Sequence, residues 1–309
     1  MSVNTSGNRA AWPKKQREMR NHHMDSTRWN GFPFRDDDIV VSTWSKSGTT
    51  WVQQILAQLI FDGDPEVVAH SLFPWIDFRV MPWPETLQEV QAQAHRRVLK
   101  THLPVDALGL QPNVKYLYVG RDVRDVVWSM YNHHSAFLPE FYEFLNGLPD
   151  REGPPLGPPG TDVRGYYHQF LDTDGGQFWP FWSHVQSWWD ARNLPNVLLV
   201  HFAALKADPE GQMRRIADFL DIHPSAETWP RVIEHSSFAW MKANAAHQAP
   251  MIDRVLEGGA QTFINRGENG RWRDVLAPDE IAKADAVAAA HLTPDCARWL
   301  KTGEMEPNA

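Results

Sequence analysis

The stretch Ile39-Val40-Val41-Ser42-Thr43-Trp44-Ser45-Lys46-Ser47-Gly48-Thr49-Thr50-Trp51 decides the fold. Its β-branched apolar start predicts a buried strand. Ser45 to Gly48 then turns the chain. From Thr49 onward, Trp51, Val52, Ile55, Leu56, Leu59 and Ile60 fall on one helical face. The reading is strand, tight loop, helix. A helix opening directly after a strand offers unpaired N–H groups and a positive dipole end, which suits a phosphate. Lys46 adds a full charge, and Thr49 and Thr50 add hydroxyl donors. The loop is not a Walker A motif, because Lys46 precedes the one glycine instead of following a second. Taken alone, the same residues also read as a structural turn.

Three more strands are expected outward from this point: residues 97–100, 114–119 and 197–200. A helix follows the second of these through Val126, Val127 and Met130. Asp208-Pro209-Glu210 supplies an N-cap, a first-turn proline and an acidic first turn for another, which buries Met213, Ile216, Phe219 and Leu220. Strands alternating with helices predict an α/β single domain, a central parallel sheet flanked by helices. Ligands in such folds bind beyond the carboxyl ends of the strands, and the polar residues of interest directly follow three of the strand candidates. Residues 1–36 read as an N-terminal arm and 37–301 as the domain. Within it, 139–177 contains Gly153-Pro154-Pro155-Leu156-Gly157-Pro158-Pro159-Gly160 and is expected to be a long surface loop, either a substrate-side lid or a linker.

The composition narrows the partners. A net charge of −8 over 309 residues argues against a general nucleic-acid binder, so any anion site is compact. The single cysteine, Cys296, cannot form an internal disulfide and suits a reducing, cytoplasmic setting. No run of about 18 apolar residues predicts a membrane span, and the polar N-terminus shows no secretory signal. Among the 15 tryptophans, Trp75, Trp83, Trp179 and Trp182 sit in Pro-rich stretches and read equally as core or as pocket lining. His22-His23 and His133-His134 are adjacent pairs that do not face one point on a helix, and no H-E-x-x-H or C-x-x-C occurs, so no metal site is expected.

Four segments in order then resemble one family. Lys46-Ser47-Gly48-Thr49-Thr50-Trp51 is similar to the P-loop-like 5′-phosphosulfate loop of the cytosolic-type sulfotransferases. These enzymes use 3′-phosphoadenosine 5′-phosphosulfate (PAPS) and release the 3′,5′-bisphosphate (PAP). Lys100-Thr101-His102-Leu103-Pro104 resembles the segment carrying the catalytic histidine. Residues 118–129, with Arg121 and Ser129, resemble the 3′-phosphate-binding strand and helix. Arg266-Gly267-Glu268-Asn269-Gly270-Arg271-Trp272 resembles the C-terminal R-K-G-x-x-G-x-W element. A further segment, from His235 to Met241, resembles a nucleotide-contacting one, in which the resemblance implies that Trp51 and Phe238 sandwich the adenine.

The chain also departs from the family pattern. Asn265 and Arg266 stand where arginine and lysine are usual, Phe202 where a tyrosine is usual near the adenine, and Ser236 where a threonine is usual. The family's short dimer segment has no clear counterpart in 245–265, which leaves a homodimer open.

Each segment has its own chemistry. A neutral imidazole such as His102 is the natural base for an acceptor hydroxyl near pH 7, although a lone histidine also reads as structural. Arg121 can fork onto a phosphate and Ser129 can donate a hydroxyl from two turns into the next helix, or both can serve a surface ion pair. Arg124 and Asp125 read as solvated helix charges. The glycines around Arg266 fit close backbone approach to an anion, or a plain turn. The resemblance implies in-line, metal-free transfer to a hydroxyl of a small, largely apolar acceptor. In it His102 is the base, Lys46 neutralises charge on the leaving side, and Lys100 helps hold the transferring group. The rival readings are an ATP-dependent, kinase-like phosphotransferase and a non-catalytic nucleotide-binding module.

Overall fold

The computed structural model describes residues 12–160 and 162–305. Four strands, β1 (Ile39–Thr43), β2 (Val98–Thr101), β3 (Lys115–Gly120) and β4 (Val197–His201), form one sheet in the order β2-β1-β3-β4. Every pairing is parallel, with Val41 opposite both Lys100 and Leu117. All four predicted strands are present within a residue or two of their expected bounds.

The sheet is buried on both faces, as parallel sheets are. Alternate residues feed separate cores. Val40, Leu99, Tyr116 and Tyr118 face one core, and Ile39, Val41, Val98, Leu117 and Val119 face the other. The second core is closed by the helix Thr49–Ile60, through Val52, Ile55, Leu56 and Leu59, and by the helix Pro209–Leu220. That second helix is capped by the Asp208 side chain, which accepts from Gly211 N–H, and it buries Met213, Ile216 and Leu220. The chain leaves β1 for β2 on one side and returns to β3 on the other. The carboxyl ends of β1 and β3 therefore flank a crevice, where such sheets hold their ligands.

One region differs from the sequence expectation. The stretch 139–177 is not one long loop. It carries the helices Pro139–Gly147 and Val163–Asp172, with the Pro/Gly segment between them. Asp162 caps the second, accepting from the N–H groups of Arg164 and Gly165. Tyr166, Tyr167, Phe170 and Leu171 bury one face of it, a helical spacing that the neighbouring Pro/Gly run obscured in the sequence. Residues 12–36 lie along the domain: Met24, Trp29 and Phe32 join the larger core, and Arg17 pairs with Asp106 at 2.7 Å. Among the described residues, no helix is long and apolar enough to cross a membrane.

Candidate active site

Beyond the carboxyl ends of β1, β2 and β3 lies a cavity of about 440 Å³. The residue after each strand, or the loop it opens, contributes a polar group: Lys46 after β1, His102 after β2 and Arg121 after β3. The sheet thus brings together side chains that lie 75 residues apart in the chain between Lys46 and Arg121.

The β1 loop is tightly wound. Lys46 takes a left-handed φ of 67° and Gly48 a φ of 124°. A Cβ at Gly48 would lie 2.9 Å from the Phe202 ring, so glycine meets both a steric and a backbone demand there. Val52 N–H bonds back to Gly48 C=O at 3.1 Å. The N–H groups of Thr49, Thr50 and Trp51 make no hydrogen bond among the described residues and open on the cavity side of the helix.

Arg121 is 7% exposed, and among the described residues its guanidinium bonds only neutral acceptors: Lys46 C=O at 3.1 Å, Glu268 C=O at 3.0 Å and Asn269 Oδ1 at 2.8 Å. It also lies over the Phe202 ring at 4.1 Å. Burial lowers its pKa to about 10. A buried cation with neutral partners is poised for an anion, and Arg121 also ties the β1 loop to the 266–271 element. In that element Gly267 has φ 62°, and a Cβ there would meet Phe238 at 2.6 Å.

Lys46 and Lys100 are half-buried on the same cavity. Burial, then neighbouring positive charge, lowers Lys46 to about 7; burial lowers Lys100 to about 8. Lys100 Nζ lies 4.4 Å from the Trp75 ring centre. His102 is buried, and its Nδ1 lies 2.7 Å from Thr43 C=O and 3.1 Å from Thr43 Oγ1. A carbonyl can only accept, so Nδ1 carries the proton and Nε2 keeps the lone pair. Burial, then Lys100, pushes the imidazole well below its ordinary pKa, and it is neutral.

The family model for the sulfotransferase domain matches residues 36–295. The chain belongs to the sulfotransferase domain family. A glycolipid sulfotransferase of Mycobacterium bovis is 30% identical over 90% of this chain and 92% of its own. Sulfotransferase 1A1 of Rattus norvegicus is 30% identical over 84% of this chain and 86% of its own. Among solved structures, mouse sulfotransferase SULT7A1 complexed with PAP superposes with a TM-score of 0.66 at 23% identity, covering 88% of this chain and 89% of the other.

In this sulfotransferase every site residue expected from the sequence lines the cavity except Ser47 and Ser236. Thus Thr49, Thr50, Trp51, Ser129 and Met241 open on it, and Asn265 and Arg266 sit exposed at its rim. Ser236 lies behind Trp51: its carbonyl accepts from Trp51 Nε1 at 2.8 Å, and its own hydroxyl is buried without a partner among the described residues. Phe238 is 39% exposed and opens on the same cavity as Trp51. Arg124 and Asp125 are not solvated. Arg124 is buried against Asp122 at 2.7 Å with its guanidinium 4.9 Å from the Trp272 ring centre, and Asp125 Oδ1 accepts from Gly270 N–H at 2.6 Å, so both are buried against the glycine element.

Sequence reasoning missed Thr43, whose place as the last residue of β1 was the available signal. It also missed Asn269, whose role as the Arg121 acceptor depends on a loop closing from 148 residues away. Trp75 and Trp179 line the cavity, whereas Trp182 packs in the core and the half-buried Trp83 packs against it. His23 and His133, one from each adjacent pair, also reach the cavity. Among the described residues no group of three His, Cys, Asp or Glu side chains is placed to hold a metal.

Proposed function

We propose that this chain moves the sulfuryl group of PAPS in line to a hydroxyl of a small, largely apolar acceptor, with His102 as general base. One observation carries the reading: a neutral imidazole with an unbonded Nε2 shares its cavity with Lys46, Lys100 and Arg121, none of which bonds a carboxylate among the described residues. The residues fit the nucleotide. Arg121 and Ser129, with Arg266 at the rim, offer a charged fork and a hydroxyl for a 3′-phosphate, and residues 46–51 offer N–H and hydroxyl groups for the 5′ side. Trp51 and Phe238 offer two ring surfaces for a base.

When bound, PAPS supplies the sulfuryl group and PAP is what remains. The protein does the rest. His102 Nε2 takes the acceptor's proton, and the bond from Nδ1–H to Thr43 C=O stabilises the imidazolium that forms. Lys46 holds a positive charge on the leaving side, and Lys100 on the transferring group. The cavity lining also holds Trp75, Phe137, Phe178 and Trp179, which supports an apolar acceptor body. The glycolipid that names the mycobacterial relative's activity combines such a body with hydroxyls.

Thermal unfolding with adenosine 3′,5′-bisphosphate and with ATP, both without metal, tests the nucleotide. The bisphosphate should raise Tm clearly and ATP much less. Equal shifts, or a strict magnesium requirement, would favour a phosphotransferase instead. An acceptor screen with labelled PAPS tests the transfer itself.

A further inference from the structure

His102 is not the one imidazole on the cavity whose tautomer is set by the fold. His22 Nε2 lies 2.8 Å from the Gln177 backbone oxygen. Since a carbonyl oxygen only accepts, Nε2 of His22 carries the proton and its Nδ1 keeps a lone pair. That Nδ1 is hydrogen-bonded to His23 Nδ1. His23 Nδ1 must then carry the proton, which leaves the His23 lone pair on Nε2. Both rings are buried, His22 at 3% and His23 at 6% exposure, and desolvation pushes both below the ordinary histidine pKa, so the neutral accounting holds. His23 lines the cavity, and its Nε2 makes no hydrogen bond among the described residues.

The cavity therefore carries two imidazole acceptors of matching polarity. Each is fixed by a main-chain carbonyl at its far end, directly for His102 and through His22 for His23. The two rings flank common aromatic walls: Trp75 lies 4.6 Å from the His102 ring and 6.2 Å from the His23 ring, and Trp179 lies 5.9 Å and 6.4 Å from them. A polar acceptor atom set among Phe78, Phe137 and Phe178 rings has no apolar use. It is left to a donor on the ligand.

We infer that His23 Nε2 is a recognition site for a second hydroxyl on the sulfuryl acceptor, so that the preferred acceptor is a diol or polyhydroxy compound with an apolar body. This rests on the sulfotransferase reading above. His23 acts as a binding residue, held in the accepting tautomer by His22, and His102 alone takes the proton. A site built to bond a hydroxyl discriminates strongly against the analogue that lacks it, because its own polar atom is then left unpaired.

The test compares rigid diols of graded spacing with their monohydroxy partners: resorcinol and phenol, 2,7-dihydroxynaphthalene and 2-naphthol, 4,4′-dihydroxybiphenyl and 4-hydroxybiphenyl. The readout is the diol-to-monool ratio of kcat/KM with PAPS, corrected for the two equivalent hydroxyls of a diol. At least one pair should show a ratio of about ten, the scale of one buried hydrogen bond, expressed mainly in KM. His23→Phe should bring that ratio to about one, by raising the KM of the diol toward that of the monool. His23→Gln, which keeps an accepting oxygen, should retain most of the preference. Wild type with no diol preference in any pair, or His23→Phe with the preference intact, would overturn the inference and leave the sulfotransferase reading standing. Failure of wild type to sulfate any of the six, together with no Tm shift from adenosine 3′,5′-bisphosphate, would overturn both.

Discussion

The backbone oxygen of Thr43 lies 2.7 Å from Nδ1 of His102, and Thr43 Oγ1 lies 2.7 Å from Thr49 Oγ1. One residue at the end of β1 therefore both fixes the tautomer of His102 and touches the first turn of the helix Thr49–Ile60. The carbonyl contact survives any side-chain change at 43, whereas the hydroxyl contacts do not. Thr43→Val should lower kcat about five-fold, the scale of one neutral hydrogen bond, with the kcat/KM of every acceptor falling in parallel. Steady-state kinetics on two acceptors of different acidity would check it.

His102→Ala should behave differently. It should still bind the bisphosphate, because the nucleotide-facing groups lie elsewhere. Turnover should fall by about 10²–10⁴-fold on an aliphatic alcohol. A phenol with a strongly withdrawing substituent is already partly ionised at neutral pH and should retain relatively more activity. Lys46→Ala should slow both acceptors alike. Near-normal rates for His102→Ala on both would return His102 to a structural role.

Arg121→Ala removes a guanidinium held by three neutral acceptors, so no carboxylate is stranded by the change. Affinity for adenosine 3′,5′-bisphosphate should fall by about 2–3 kcal/mol, the scale of charge-assisted hydrogen bonds. Adenosine 5′-phosphate should lose much less. Calorimetric titration of both ligands would separate the cases, and an equal loss would show that Arg121 does not meet the 3′-phosphate.

Nucleotide binding should depend on pH through the two lysines. In the ligand-free protein Lys46 is lowered to about 7 and Lys100 to about 8. Below pH 7 Lys46 already carries its proton, and an anion binds to a charged site. Above pH 8 most of that charge is gone, so binding must take up protons. Affinity should fall as pH rises from 7 to 9, by up to about ten-fold per unit for each proton taken up. Titration in two buffers of different ionisation enthalpy would count the protons, and no uptake at pH 8.5 would contradict the lysine assignments. His102, held well below its ordinary value, should place the acidic limb of kcat/KM below pH 6.5 rather than at it.

Away from the site, Arg97 and Asp38 form an ion pair at 1% and 0% side-chain exposure, joining the starts of β2 and β1. Arg97 Nε donates to Asp38 Oδ1 at 2.7 Å. Arg97→Ala leaves Asp38 buried without its cation and should destabilise the fold by about 3–5 kcal/mol, as breaking one side of a buried pair does. Denaturant unfolding at neutral pH would measure it.

The strands and the loop were legible in the sequence because their determinants are local. Val40 and Val41 must be buried wherever they sit, and a turn with glycine at 48 must precede a helix whose apolar face repeats through Ile60. The four motifs marked Lys46, His102, Arg121 and Arg266 one at a time for the same reason. What the residues 139–177 do was not legible, because their Pro/Gly run masks two short helical faces that exist only once Tyr166, Tyr167 and Phe170 find a core. The burial of Arg124 and Asp125 was hidden likewise, since a charge next to Arg121 reads as solvated until the 266–271 element folds over it. Tautomers lay furthest out of reach. Which nitrogen of His102 or His23 keeps its lone pair depends on where the carbonyls of Thr43 and Gln177 end up. Gln177 lies 155 residues from His22 in the chain. Residue type supplies an imidazole, but only the packed sheet and the segment laid over it determine which of its atoms is left to face a ligand.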